Sequence, residues 1–430
     1  MDVVIGERQG YGQRLPFGLS IADRRQHLYL IGKTGTGKST LLRNLIVQDI
    51  EAGRGCMLLD PHGDLADELL DYIPPWRTED LVYFHPADLS HPIGLNLLER
   101  VPADDRPLLA SSVVSIFKHL WRDSWGPRLE YVLYNTIAAL LDFPPSYGSV
   151  SLLGVPRMLA DPAYRETIVR HIQDMRVRAF WETECPKSAQ FAAEVVSPIQ
   201  NKVGVLLAAP AVRNVLGQAT STLRLDDAMD QRRIVIANLG KGLLGEDKAN
   251  LMGSLLVTAV QLAAMRRASV PEGERVDFVI YLDEFHNFTT DAFAAILAEA
   301  RKYRLALVVG HQLLDQVDPH VRAAVFGNVG TLVSFGVGHS DADELAGEFH
   351  PYTAGALRDL GRGQVCVRSI QDAQQQEPFL GITNPSAGMR YGNRGRLIEQ
   401  SQRRYGRRRQ EVERKLRRWM ENGKNPPAAG

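Results

Sequence analysis

The chain of 430 residues holds only three cysteines, Cys56, Cys185 and Cys366, scattered far apart. They are too few and too dispersed for a disulfide framework or a zinc site. Cys56 and Cys366 sit in apolar, strand-like runs, where a thiol acts as a small core residue. Long hydrophobic runs are missing too. None approaches the roughly 18–20 apolar residues that cross a bilayer, and the longest, "LLVTAVQLAAM", is interrupted by Gln261. The first residues, "MDVVIGERQG", lack the basic and apolar regions of a signal peptide. A reducing, cytoplasmic setting is expected, with any contact at the inner face of the cell membrane made through a partner. Net charge is absent as well, with 50 Lys and Arg against 50 Asp and Glu, but the balance is not local. Residues 386–430 carry 13 basic and 4 acidic side chains, so the rest is acidic by the same margin. Such a tail is either an arm for an anionic partner or a solvated, partly disordered end.

What is present is alternation. Short apolar runs that read as buried parallel strands recur: "HLYLIG" (27–32), "GCMLLD" (55–60), "LVYFHP" (81–86), "RIVIANLG" (233–240), "FVIYLDEF" (278–285), "LALVVGHQ" (305–312), "TLVSFGV" (331–337) and "QVCVRS" (364–369). Helical stretches separate most of them, which predicts an α/β fold with a mainly parallel sheet. The alternation breaks between about 97 and 230, where stripes such as "RLEYVLYNTIAALL" predict a mostly helical insertion. The expected organisation is a core begun by residues 1–96, an insertion over 97–230, the rest of the core over 231–385, and a basic, partly disordered tail over 386–430. Within that tail a short helix is expected to put Val412, Leu416 and Trp419 on one side.

Residues 32–39, "GKTGTGKS", fit the phosphate-loop pattern G-x-x-x-x-G-K-[ST], with an apolar strand leading in and an amphipathic helix leading out. The glycines let backbone N–H groups turn inward on phosphates at a helix N-terminus. Gly32, Lys33, Thr34, Gly35, Thr36, Gly37, Lys38, Ser39 and Thr40 are therefore the expected ATP-binding residues. Lys38 is expected to reach the β and γ phosphates, and Ser39 to ligate Mg²⁺. "FVIYLDEF" ends a buried strand in Asp283 and Glu284, at the end where open α/β sheets bind ligands. Asp283 is the expected metal partner through water, and Glu284 the group that polarises the attacking water. Gln312, at the tip of the next strand with His311 beside it, is placed to touch a γ-phosphate or to cap the strand end. "DPHGD" at 60–64 has the spacing of a guanine-nucleotide switch, but an N-K-x-D segment is lacking: the nearest match, "NKVG" at 201–204, has glycine in the aspartate's place. Asp60 is left to orient a water or Lys38, or only to cap the turn.

Taken in order, "HLYLIGKTGTGKST", "LLDPHGDLADELL", "GLNLLE", "VIYLDEFHNF" and "EARKYRLALVVGHQ" resemble the HerA/FtsK superfamily of ring-forming DNA motors, and most closely the TraG/TraD-type conjugative coupling proteins and HerA-like translocases. The resemblance spans roughly residues 20–385. It implies a RecA-like P-loop NTPase core with ATP and Mg²⁺ as cofactors, working as a homo-hexamer that moves single- or double-stranded DNA in conjugative, type IV secretion transfer. It also implies that Arg301, in the "RK" segment before the glutamine strand, is an arginine finger reaching a neighbouring subunit's nucleotide, with Arg304 the runner-up. The helical insertion is similar to the all-α domain of coupling proteins. Coupling proteins carry N-terminal membrane helices, HerA relatives an N-terminal β-barrel, and neither is seen in this chain; His62 stands where coupling proteins often have lysine. The resemblance then implies relaxosome, secretion-channel or membrane-anchor subunits as partners. A HerA-like repair motor paired with a nuclease, or a nucleotide-gated assembly or protein-transport ATPase without DNA, are the alternatives.

Overall fold

A computed structural model of the chain describes residues 2–10, 13–185, 196–385 and 388–421. All eight apolar runs form strands: β3 (Leu28–Ile31), β4 (Gly55–Asp60), β5 (Leu81–Phe84), β6 (Ile234–Asn238), β7 (Phe278–Leu282), β8 (Leu305–His311), β9 (Thr331–Ser334) and β10 (Gln364–Arg368). Three further strands, β1 (Val3–Gly10), β2 (Gln13–Leu19) and β13 (Phe379–Thr383), complete one sheet, and β11 (Ile370–Gln371) and β12 (Gln374–Gln375) pair in a small hairpin. The eleven strands of the large sheet run in the order β2-β1-β13-β10-β9-β3-β8-β7-β4-β6-β5. From β9 to β5 every neighbour is parallel, as strands buried on both faces require. The run at 364–369, expected to be parallel, instead forms β10 antiparallel to β9 and β13, and β13, β1 and β2 continue the antiparallel edge. The protein has the RecA-like P-loop α/β fold.

The three additional strands escape a search for apolar runs because one face of each meets solvent. Charged and polar residues such as Glu7, Arg8 and Gln9 on β1, and Gln13 and Arg14 on β2, interrupt the apolar positions of those two, while the five-residue β13 exposes Leu380 and Ile382 and is broken by Gly381. The chain divides into two compact units. The first, residues 1–84, 225–240 and 260–399, contains the whole sheet. The second, residues 85–224, 241–259 and 400–430, is helical, with no strand among its described residues. It therefore begins earlier than residue 97 and draws in two later segments.

In the first unit the helix Lys38–Glu51 buries Leu41, Leu42, Leu45, Ile46 and Ile50 in the cluster that holds Leu30, Leu58, Val308 and Val333 of the sheet. Its polar lock is Asp49, which has no exposure to water. Asp49 accepts a bidentate pair from Arg24 at 2.7 and 2.9 Å, a bond from Arg54 Nε at 2.6 Å, and one from the Tyr281 hydroxyl at 2.5 Å. Arg24 also donates to that hydroxyl at 2.7 Å.

The second unit gathers helices Arg106–Leu120 and Pro127–Asp142. In the latter, Pro127 opens the helix and Leu129, Val132, Leu133, Ile137 and Leu140 are buried at helical spacing. The basic tail is more ordered than its composition implies. Residues 386–387 and 422–430 lie outside the described residues, but Arg394–Tyr405 and Arg409–Glu421 are helices. Val412, Leu416 and Trp419 are buried as expected, and Arg157 lies over the Trp419 ring and donates to its carbonyl at 2.5 Å. One further expectation is corrected. Glu246–Ser269 is long and apolar enough by composition to cross a membrane despite Gln261, although 78% of that window is buried inside the protein.

Asp49→Ala is expected to lower stability by about 3–5 kcal/mol in chemical denaturation, because Arg24 is left as a buried, uncompensated cation.

Candidate nucleotide-binding site

The parallel registers pair Ile31 with His311, Leu282 with Val309, and Asp60 with Asn238, so the C-terminal ends of β3, β4, β7 and β8 share one edge of the sheet. The residues that follow these ends open a cavity of about 340 Å³, lined by Thr34, Gly35, Gly37, Lys38, Ser39, Thr40, His62, Asp283, Glu284, Gln312 and Arg362. The phosphate loop forms its floor. Gly37 at φ 126° occupies backbone space that favours glycine and turns the chain into the helix Lys38–Glu51. Lys38 is only 6% exposed and reaches back over the loop, donating to the Gly32 carbonyl at 2.5 Å and the Lys33 carbonyl at 3.2 Å. It thus sits where arriving phosphates would replace those carbonyls. Ser39 lines the cavity beside it.

Asp283 and Glu284 leave β7 in different ways. Asp283 continues the strand end and accepts the Glu284 N–H at 3.1 Å. Glu284 adopts the left-handed conformation at φ 47°, ψ 53°, a strained backbone for a residue with a side chain. Its Oε1 accepts from Gln312 Nε2 at 2.8 Å, while Gln312 Oε1 accepts from the Thr34 hydroxyl at 2.9 Å. Gln312 therefore bridges the phosphate loop and Glu284 rather than merely capping its strand. Its neighbour His311 points the other way, buried against Tyr29 and Phe285, and takes no place in the cavity lining. Burial, with His286 and Lys38 adding to it, pushes the His311 imidazole down to about 3, so it is a neutral core residue at ordinary pH.

The alternatives for Asp60 resolve to the cap. Its two carboxylate oxygens accept the His62 and Ala66 N–H groups, each at 2.9 Å, and so hold the turn into the helix Asp64–Leu69. Arg301 is exposed on the short turn Ala300–Tyr303, which precedes β8 and so lies beyond the opposite end of that strand from the cavity. Arg304 is occupied: it donates to the Arg275 carbonyl at 3.0 Å and lies 3.9 Å from Asp277. Arg362 is the lining residue that motif reading missed. It stands between two glycines in no pattern of its own, and only the approach of its turn to the phosphate loop brings it here.

Burial, with Asp60 and Glu284 nearby and Lys38 and His62 opposing them, raises the Asp283 carboxyl to about 6. Lys38 is lowered from its ordinary value by burial, against the pull of Glu284 and Asp283. A buried excess of carboxylates is what a cation would relieve. No group of three or more His, Cys, Asp or Glu fit to hold a metal alone exists among the described residues. Magnesium, however, commonly takes one or two protein ligands and completes its shell with phosphates and water, so Ser39 and Asp283 fit it as the protein's share. Asp283 must lose its proton to serve. Mg²⁺-dependent nucleotide affinity should therefore be full above about pH 7 and fall as pH drops through about 6. Titrations of nucleotide with and without Mg²⁺ between pH 5 and 8 check this, and Asp283→Asn should remove the part of the pH dependence that belongs to the protein.

Comparison with known proteins follows the same outline. The helicase HerA central-domain family matches residues 3–101. No curated protein sequence matches the chain. Among solved structures, the bacterial conjugative coupling protein TrwB without its first 70 residues is similar at 16% identity over 90% of each chain, with a TM-score of 0.60. TrwB with ADP and Mg²⁺ is similar at 17% identity over 90% of this chain and 91% of that one, with a TM-score of 0.57. VirB4 of Thermoanaerobacter pseudethanolicus is similar at 14% identity over 89% and 96% of the two chains, with a TM-score of 0.59. The family match covers residues 3–101, and over about nine-tenths of its length the chain has the fold of these coupling-protein and VirB4 structures.

Proposed function

We propose that the chain hydrolyses ATP and uses the turnover to move DNA in conjugative, type IV secretion transfer, as a ring of six copies. The observation that carries the hydrolytic part is the Thr34–Gln312–Glu284 chain of hydrogen bonds beside Lys38, Ser39 and Asp283. A site built only to bind nucleotide has no use for a strained glutamate wired to the phosphate loop. In this reading Lys38 and Ser39 hold the phosphates, and Mg²⁺, when bound, supplies neutralisation of their charge. Glu284 orients and polarises the attacking water, and Gln312 couples that carboxylate to the loop. Arg301, exposed and remote from its own cavity, fits a finger that completes the site of a neighbouring copy.

The DNA part is supported by the helix Arg409–Glu421. With Val412, Leu416 and Trp419 buried, Arg414, Arg417 and Arg418 share the opposite side at helical spacing, exposed and without an ion pair among the described residues. Such a strip matches a phosphate backbone and carries no sequence readout. A second reading, a secretion ATPase that acts without DNA, is favoured by the similarity to VirB4, whose TM-score of 0.59 stands level with the 0.60 of TrwB. A HerA-like repair motor with a nuclease partner rests on the HerA match alone.

ATPase rates measured with and without single- and double-stranded DNA, alongside the oligomeric state, separate these readings. The proposal expects stimulation by DNA in a hexameric species; a rate indifferent to DNA, in a chain that binds none, favours the second reading. Glu284→Gln should keep ATP but lose turnover by about two orders of magnitude or more. Mixed with Arg301→Ala, it should regain activity at mixed interfaces, and failure to do so in a confirmed ring argues against a finger in trans. Replacing Arg414, Arg417 and Arg418 together with Gln should weaken DNA binding at low salt. It should also flatten the salt dependence by about one unit of slope for each phosphate no longer neutralised. Unchanged affinity would remove this helix from the DNA interface.

A further inference from the structure

We infer that Arg362 is a nucleotide-binding residue that grips the α-phosphate side of the polyphosphate, an inference that rests on the cavity being the ATP site. Arg362 lines the cavity with the phosphate loop, is exposed, and makes no hydrogen bond or ion pair among the described residues. A guanidinium left unpaired at the rim of the phosphate loop has all its donors free to meet an anion that arrives there.

The turn that carries Arg362 is held rigidly against the loop. Gly363 N–H donates to the Thr36 carbonyl at 2.9 Å, which bonds the turn directly to the phosphate loop. The Gly363 carbonyl in turn accepts from Thr383 N–H at 2.8 Å and from the Thr383 hydroxyl at 3.2 Å. Gln364 closes the turn, its N–H bonded to the Gly361 carbonyl at 3.0 Å and its side-chain oxygen accepting the Gly361 N–H at 2.8 Å. Gly363 at φ 78° supplies the left-handed step that this geometry needs. Position is therefore set by the backbone, and only the arginine's own rotamer remains to be ordered on binding.

Sheet order decides which phosphate it meets. The phosphate loop follows β3, which lies between β8 and β7 on one side and β9 and β10 on the other. Asp283, Glu284 and Gln312, the groups that act at the γ-phosphate, come from β7 and β8. Arg362 lies two residues before the start of β10 and reaches the loop from the opposite side. With the loop's backbone amides on the α- and β-phosphates and Lys38 toward the γ-phosphate, the side away from Glu284 and Gln312 belongs to the α-phosphate and nucleoside end. A planar guanidinium is suited to two oxygens of one phosphate.

The test is to measure ADP and ATP dissociation constants and steady-state kinetics for the full chain and for Arg362→Ala and Arg362→Lys, with Mg²⁺ present. Arg362→Ala should weaken ADP and ATP by the same factor, roughly tenfold or more for removal of one charge-assisted bond. Arg362→Lys should fall between, since it keeps the charge and loses the fork. The loss should fall on KM and both dissociation constants far more than on kcat, with the melting temperature unmoved because the side chain is exposed and unpaired. Unchanged ADP affinity with weakened ATP would move Arg362 to the γ-phosphate and overturn the assignment. Loss of kcat at unchanged affinity would overturn it as well. A wild-type chain that binds neither nucleotide would overturn the reading of the cavity itself, and this one with it.

Discussion

The structure depends on the ionised Asp49 carboxylate in a water-free interior. Its partners come from three places: Arg24 just before β3, Arg54 just after the phosphate-loop helix, and Tyr281 on β7. Burying a carboxylate is expensive, and only this full set of charge-assisted bonds makes the position tolerable. In return, the helix whose N-terminus carries Lys38 and Ser39 is tied to the strand that two residues later delivers Asp283. Apolar packing of Leu41, Leu45 and Ile46 presses helix to sheet but allows sliding; directional bonds to one carboxylate do not. The placement of Lys38 and Ser39 relative to Asp283 follows from that constraint.

At the other end of the same elements the electrostatics are left uneven. Asp60, Asp283 and Glu284 converge near one lysine, and Asp60 is already committed to capping a turn through both oxygens. The surplus shows as an Asp283 carboxyl raised to about 6. The left-handed backbone at Glu284 has the same local character: it costs conformational energy and is held by the Asp283 carboxylate on its N–H and by Asn287 Nδ2 on its carbonyl. Strain and unbalanced charge gathered in one cavity mark a site whose resting arrangement is completed by something that binds.

Much of this was legible from residue order. Buried parallel strands need continuous apolar runs, and all eight such runs are strands, seven of them parallel and the eighth, β10, antiparallel to both its neighbours. The phosphate loop and the carboxylate pair are local patterns whose neighbours in sequence are also their structural context. The antiparallel strands β1 and β2 were not legible, because a strand with one wet face alternates and carries charges such as Glu7 and Arg8; β13, the short run FLGIT, carries no charge and is broken by Gly381. The ordered helix Arg409–Glu421 was half legible. The spacing of Val412, Leu416 and Trp419 announced an apolar side, but the density of arginine around it read as a solvated tail.

The sequence by itself determined which groups are available at the candidate nucleotide site: a phosphate-loop lysine and serine, a pair of carboxylates at the end of a strand, and no guanine-reading segment beside them. Those choices are local, since each rests on spacing within a dozen residues. Only the tertiary structure decided how the groups are wired. It gave Gln312 two partners rather than one, sent His311 into the core, reduced Asp60 to a cap and brought Arg362 to the loop. Each of these depends on parallel crossovers that set distant strand ends side by side, and on a single backbone bond between Gly363 and Thr36. Contacts between residues hundreds of positions apart leave no periodicity in the chain, because the energy that makes them lies in burial and hydrogen bonding across the sheet rather than along it.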